Sequence, residues 1–276
     1  MDYKRILTIQ DISCVGQCSM TVALPILSAC GIETAILPSA ILSTHTAGFT
    51  GFTFRDLCLD MPKIREHWVK EGITFDGIYT GYLGSSNQID YVLDIAKSNL
   101  VKDGKFFVDP AMADNGKLYY GFDDDYVCAI RRLCQSADYV LPNITEACFL
   151  TGIEYKESYD KAYIDRLVKG LKDIGCKNII LTGVSYESAK TGIVVVENGE
   201  ESYYEHKKLA NSCHGTGDIY ASAFVGAMFN GKTAYESAKI AGDYVMECIE
   251  ATAKEENHWY GAKFEPLLGS LINKLK

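Results

Sequence analysis

Strand-like and helix-like segments alternate along almost the whole chain, and this alternation restricts the fold more than any single motif does. Arg5–Gln10 and Thr34–Leu42 read as strands on either side of Ser19–Cys30, whose apolar residues recur at helical spacing and which Gly31 closes. The pattern predicts a helix near Phe54–Lys70, a strand at Gly77–Thr80, a helix at Ser85–Val101 and a strand at Lys105–Asp109. It continues with a helix at Asp124–Ser136, a strand at Tyr139–Leu141, a short helix from Thr145, a helix at Ile164–Ile174 and a buried strand at Asn178–Leu181. Each crossover has room for a helix and is too long for a hairpin, so parallel pairing is the economical solution. The period then shifts to two, where Thr191–Glu197 and Ser202–Glu205 flank the tight-turn pair Asn198-Gly199. Helices at Gly217–Phe229, Ala234–Thr252 and Phe264–Leu275 finish the chain. With no linker or low-complexity tract in 276 residues, the expectation is one α/β domain over 1–276, a mostly parallel central sheet with helices on both faces. Such sheets bind ligands at the carboxyl ends of their strands, so the loops Gln10–Ser19, Thr80–Ser86, Asp109–Gly121 and Pro142–Glu146 should converge there.

Charge narrows the function. With 27 basic and 36 acidic residues the net charge is −9, which gives no summed positive field for a nucleic acid or an anionic membrane. A small anion held by local dipoles stays possible. No apolar run approaches the roughly 18 residues of a membrane span, and the start runs straight into a strand, so a cytoplasmic location is expected. The ten cysteines form no CxxC pair and sit mostly in apolar runs, which reads as reduced core thiols; Cys213 reads as a packed thiol too.

Two stretches invite a phosphate-binding reading. Gly226 to Thr233 satisfies GxxxxGK[ST], but it starts inside an expected helix; Asn230-Gly231 looks like that helix's stop and Thr233-x-x-Glu236 like the capping box of the next. The better candidate is the octet Asn211–Asp218, a loop leading into the apolar helix that begins near Gly217. Its glycines leave N–H groups unobstructed at the positive end of a helix dipole. Asp218 in that first turn then has two readings. It complements the dipole while Thr216 caps the helix, or it is a general base held beside amides that stabilise a transferring phosphoryl group.

Gly215-Thr216-Gly217-Asp218 resembles the anion-hole motif of the ribokinase-like superfamily. Four further stretches resemble its pyridoxal kinase branch: Ser43-Thr44-His45-Thr46, Gly81-Tyr82-Leu83-Gly84-Ser85, Asp109-Pro110-Ala111-Met112 with Asp114-Asn115-Gly116-Lys117, and Pro142-Asn143-x-x-Glu146-Ala147. Their order and spacing match over nearly the whole chain. The resemblance implies a ribokinase-like fold without the separate lid domain of sugar kinases, and ATP-dependent phosphorylation of the 5′-hydroxymethyl group of a vitamin B6 vitamer. Asp218 would take the hydroxyl proton, with the N–H groups of Gly215, Thr216 and Gly217 as the anion hole. Asp109, Asp114, Asn143, Glu146, Thr182 and Gly183 would line the ATP site, with Glu146 and Asp109 organising Mg2+; a monovalent cation such as K+ is left open. Asp11, His45, Thr46 and Tyr82 would contact the vitamer, and the family's dimers imply a homodimer.

Each of these residues also has a plain structural reading. Asn143-x-x-Glu146 fits a helix cap, Asp109 a turn before Pro110, His45 a hydrogen-bonded structural histidine, and Asp11 a turn cap. Asp11 also departs from the family, whose better-known members carry serine followed by histidine after the first strand. A carboxylate there suits an amine-bearing vitamer such as pyridoxamine. Rival readings are a hydroxymethylpyrimidine kinase of thiamin synthesis, whose loop His214 resembles and Asp218 does not, a sugar kinase of the same superfamily, and a binding protein that has lost turnover.

Overall fold

The computed structural model describes residues 3–209 and 213–276. Arg5–Ser13 forms β1 and Glu33–Leu42 forms β2, joined by α1 (Met20–Ala29). Gly31 ends the connection in the left-handed conformation, at φ 80°, that the sequence pattern requires of it. The expected helix near Phe54–Lys70 divides: Phe54–Asp56 is a short strand, β3, and α2 starts only at Met61 and runs to Lys70. Pro62 sits in the first turn of α2, where its missing N–H costs nothing.

Next come β4 (Phe75–Thr80), α3 (Ser86–Asn99) and β5 (Leu100–Val108), which begins five residues ahead of the expected Lys105. The loop expected at Asp109–Gly121 contains a small hairpin, β6 (Ala113–Asp114) and β7 (Lys117–Leu118). Then follow α4 (Asp124–Ser136), β8 (Tyr139–Val140), α5 (Ile144–Thr151), α6 (Lys161–Asp173) and β9 (Asn178–Val184). β10 (Lys190–Glu197) and β11 (Glu200–Lys207) form the hairpin marked by Asn198-Gly199. The chain closes with α7 (Thr216–Phe229), α8 (Ala234–Thr252) and α9 (Leu268–Leu275), preceded by a 3₁₀ turn at Glu265–Leu267.

The main sheet has the order β11-β10-β9-β8-β5-β4-β1-β2-β3. Every pairing from β9 across to β2 is parallel, with the β10–β11 hairpin antiparallel at one end and β3 at the other. Side chains alternate between two cores. Ile9, Ile78, Phe106 and Val108 pack against helices α2 to α6, whereas Ile6, Tyr79 and Phe107 pack under α1, α7, α8 and α9. Because the central strands run the same way, the chain leaves β1, β2, β4, β5, β8 and β9 at one edge, and the anion-loop helix α7 starts beside them.

The GxxxxGK[ST] match is a helix boundary. α7 ends at Phe229, Gly231 turns left-handed at φ 80°, and Thr233 with Glu236 forms a complete capping box on α8. Among the described residues no helix is long and apolar enough to cross a membrane.

Candidate active site

The residues expected to contact the vitamer lie at the end of β1 (Asp11), after β2 (His45 and Thr46) and after β4 (Tyr82). Asp11 is buried and accepts a 2.9 Å hydrogen bond from the Ser13 hydroxyl. Burial raises its pKa, against the lowering effect of the Ser19 and Ser13 hydroxyls and, more weakly, of His45. The His45 ring is committed at both nitrogens: Nδ1 accepts from the Ala47 N–H at 3.2 Å, so Nε2 carries the proton given to the Tyr260 carbonyl at 2.7 Å. The His45 ring packs against Gly16, where a Cβ would come within 2.1 Å of it. Both ring nitrogens are thus hydrogen-bonded within the protein, as the structural reading of this histidine expects. Tyr82 is half-buried beside Phe122, and its phenol is pushed up to about 12 by burial and then by Asp11 and Asp56. Thr46 points to solvent at the rim.

Across the sheet edge, the loops after β5 and β8 are laced together. The Asp109 carboxylate accepts from the Ala111 N–H at 3.1 Å, the turn expected before Pro110. Asn143 and Glu146 make the capping box of α5: Oδ1 of Asn143 accepts from the Glu146 N–H and Oε2 of Glu146 from the Asn143 N–H, both at 2.9 Å. The same two side chains reach the small hairpin. Glu146 Oε1 accepts from the Met112 N–H at 3.0 Å, and Asn143 Nδ2 donates to the Ala113 carbonyl at 2.9 Å. Asp114 stands exposed on that hairpin and holds the Asn115 N–H at 2.8 Å. Thr182 and Gly183 lie inside β9 and not just past its end, since the strand continues to Val184. The Thr182 N–H donates to the Pro142 carbonyl at 2.9 Å, and Gly183 kinks outward at φ 75°.

The start of α7 closes the site. Gly215 is its N-cap at φ 77°, and a Cβ there would fall 1.8 Å from the Gln17 carbonyl oxygen, so only glycine allows this approach to the β1–α1 loop. Among the described residues no side chain caps the helix. The Thr216 hydroxyl donates backwards to the Cys213 carbonyl at 3.3 Å, which corrects the expectation that it caps α7. Gly217 faces open space. Asn211 and Ser212 of the octet lie outside the described residues.

Asp218 is raised to about 7, chiefly by burial and further by Asp11, against the lowering effect of the Ser19 backbone N–H. Asp109 is raised by burial, then by Glu146 and Asp218. Glu146 is raised by burial against its three backbone donors. These carboxyls and Asp11 lie close enough to raise one another, and among the described residues none of them is in a salt bridge. Acids gathered without a cation suit a ligand that brings positive charge with it. The described residues hold no preassembled metal cage of three or more such ligands. Hard oxygens without a cage fit magnesium, which keeps waters and is completed by phosphate.

Two contributors escape a reading of the sequence. Ser19, at φ 52° a strained conformation for a residue with a Cβ, sits between Asp11 and Asp218. The loop at His258-Trp259-Tyr260 folds over the loop that follows β2, with Trp259 4.6 Å from Phe49 between ring centres. The one local signal for this loop is an aromatic run next to Gly261, which carries no period. All ten cysteines are unpaired, and burial pushes the Cys213 thiol up, as expected of a packed thiol.

Residues 28–262 match the family model described as phosphomethylpyrimidine kinase. The chain belongs to that family. It superposes on the pyridoxal kinase of Lactobacillus plantarum with a TM-score of 0.90 at 30% identity, over 98% of this chain and 97% of that one. A Bacteroides thetaiotaomicron protein provisionally named a phosphomethylpyrimidine kinase, in a crystal form with pyridoxal, gives 0.90 at 33% identity over 99% and 96% of the two chains. The pyridoxal kinase of Dictyostelium discoideum is 27% identical over 244 residues, 80% of this chain and 77% of that protein. This protein is thus a kinase of the pyridoxal kinase and phosphomethylpyrimidine kinase family, with the ribokinase-like fold that its motifs imply. In this kinase the two halves of the site meet at Asp218.

Proposed function

We propose that the kinase transfers the γ-phosphoryl group of ATP to the 5′-hydroxymethyl group of a vitamin B6 vitamer, with Asp218 as the base. The observation that carries this reading is the first turn of α7, which no side chain caps among the described residues and which carries Asp218, itself raised to about 7. The hydroxyl oxygen forms its bond to the γ-phosphorus as the bond from phosphorus to the β,γ-bridging oxygen breaks. The hydroxyl proton passes to Asp218, and ADP leaves. A base near 7 is stronger than an ordinary carboxylate yet far weaker than an alkoxide, so the proton moves only as the new bond forms. The Gly215, Thr216 and Gly217 amides meet the developing phosphoryl charge. Asp109 and Glu146 would hold Mg2+ through its waters, the ion supplying charge neutralisation along the phosphates. Asn143, Asp114, Thr182 and Gly183 would shape the nucleotide side.

Asp11 supports an amine-bearing vitamer, because a buried carboxylate that is in no salt bridge among the described residues gains from a cationic partner. A homodimer belongs to the same reading. Ile36 and Ile41 are exposed on β2, near the β3 end of the sheet, apolar side chains that a second copy would cover. A hydroxymethylpyrimidine kinase is the second reading, favoured by the description of the matching family and by His214 beside the anion loop.

ATP consumption measured with pyridoxal, pyridoxamine, pyridoxine and hydroxymethylpyrimidine separates the two. Turnover of a vitamer at least tenfold above the pyrimidine is expected, and the reverse order overturns the proposal. In Asp11→Ser, the pyridoxamine-to-pyridoxal ratio of kcat/KM should fall by about tenfold, the loss of one charge-assisted bond. An unchanged ratio discards the amine preference.

A further inference from the structure

The carboxyl end of β9 breaks step with its neighbour. Thr182 stands opposite Ile193 of β10 and Val184 opposite Gly192, so Gly183 is an extra residue with no partner across the ladder, a β-bulge. On its other side β9 meets the segment after β8 at Thr182, which bridges Asn143. Gly183 is exposed, its φ of 75° is left-handed, and a Cβ there would meet nothing within 4 Å. The bulge thus presents bare backbone to open space, one residue from the bridge to Asn143.

Two tyrosines hold the backbone around it. The hydroxyl of Tyr159, from the segment before α6, donates to the Gly183 carbonyl at 3.3 Å and accepts from the Ser185 N–H at 2.9 Å. One phenol thereby spends its donor and an acceptor site on the two residues that flank Val184. The hydroxyl of Tyr203, on β11, donates to the Val184 carbonyl at 3.3 Å. Tyr203 gets that far because Gly192 of β10 has no side chain; a Cβ there would come within 2.8 Å of the Tyr203 hydroxyl. Three consecutive residues are therefore tied to phenols from two other parts of the chain. The neighbouring β10–β11 ladder keeps one register from Lys190 to Glu197 and has no bulge to hold.

We propose that Tyr159 is a positioning residue for the nucleotide: its hydroxyl, assisted by that of Tyr203, fixes the Gly183 bulge in the shape that offers the Thr182–Gly183 backbone to the phosphates of ATP. Backbone that leaves its ladder gains freedom, and a ligand that must first order it binds more weakly. The phenols remove that freedom before the nucleotide arrives. The inference rests on the reading that Thr182 and Gly183 lie on the nucleotide side, and not on which alcohol accepts the phosphoryl group.

The test uses Tyr159→Phe, Tyr203→Phe and Gly183→Asn in the full chain, with binding of a nonhydrolysable ATP analogue measured at equilibrium. Turnover is assayed on whichever of the B6 vitamers or hydroxymethylpyrimidine the parent uses fastest. Tyr159→Phe keeps the ring and removes only the hydroxyl; it should weaken analogue binding and raise KM for ATP by about tenfold. Its kcat at saturating ATP and its KM for the alcohol should stay within about twofold of the parent. Tyr203→Phe, which frees one backbone group instead of two, should shift the same quantities in the same direction by less, and it carries the test if Tyr159→Phe fails to fold. Analogue affinity equal to the parent's, with or without a lower Tm, overturns the proposal, as does an equal rise in both KM values, the mark of general loosening. Gly183→Asn tests the underlying reading separately, since asparagine tolerates the left-handed backbone and its side chain would enter the open space. If Gly183→Asn binds the analogue as the parent does, the nucleotide does not lie over the bulge and reading and proposal both fall. If it binds at least tenfold more weakly while the two phenylalanine variants bind normally, the proposal alone falls.

Discussion

Two helices begin at the same edge of the sheet with an acid at the same offset, and they use it in opposite ways. α5 starts from Asn143 with Glu146 three residues on; α7 starts from Gly215 with Asp218 three residues on. In α5 the acid turns back to the N-cap N–H and the N-cap side chain returns the bond, so the helix satisfies its own first turn. In α7 the N-cap has no side chain and a left-handed backbone, no reciprocal bond forms, and the N–H groups stay available. One N-terminus is spent on holding the β6–β7 hairpin in place, and the other bonds no side chain among the described residues. An acidic residue at the third helical position therefore says little about function until the N-cap is known.

The largest effect should come from Asp218→Asn, which abolishes the base at the open terminus. A loss of about 10²–10⁴ in kcat with nucleotide binding retained is expected, measured by turnover and by equilibrium binding of a nonhydrolysable ATP analogue. In the parent, kcat/KM should rise with pH through a midpoint near 7, where burial places the Asp218 carboxyl, and Asp218→Asn should lose that limb. Stability runs the other way. A carboxyl raised from 3.8 to about 7 stabilises the fold fully below about 4, and that contribution is lost as pH rises through 7. Asp218→Asn should thus melt above the parent at pH 8 and with it at pH 4. A kcat within threefold of the parent would remove Asp218 from the chemistry.

Gly215→Ala attacks the open terminus from the backbone. The new Cβ would overlap the Gln17 carbonyl at 1.8 Å, in a conformation that alanine disfavours. The β1–α1 loop or the start of α7 must shift, and a displacement near 1 Å typically costs about 10² in rate. Turnover should fall by that order, while the corresponding change at Gly231, which meets nothing within 4 Å, should leave kcat near the parent value.

How much of this was legible in the sequence follows from the range of the interactions concerned. α4 and α8 run over Asp124–Ser136 and Ala234–Thr252 as their spacing predicts, because long amphipathic periods and a capping box are local. β3 and the β6–β7 hairpin escaped because three exposed residues, or two, carry no period to read. At the site, Gly-Thr-Gly-Asp and Asn-x-x-Glu are local signals. The contrast between them is not, since it depends on Gln17 crowding Gly215 from two hundred residues away in the chain. Ser19 is illegible for the same reason. Nothing in its neighbourhood announces a left-handed serine.

The smallest effects should sharpen the contrast most. Asn143→Ala removes a side chain that both caps α5 and grips Ala113, so about 1–2 kcal/mol of stability should go, with a raised KM for ATP as the hairpin loosens. Thr216→Ala removes a hydroxyl whose one bond, to the Cys213 carbonyl, lies outside the helix. If α7 is truly uncapped, that change should cost under about 0.5 kcal/mol, less than any cap, and leave kcat within about twofold, because the N–H of residue 216 is the group the phosphoryl would meet. Thermal melts of the two variants side by side decide it. A Thr216→Ala loss as large as that of Asn143→Ala would mean that both termini are capped, and the open anion site would lose its physical basis.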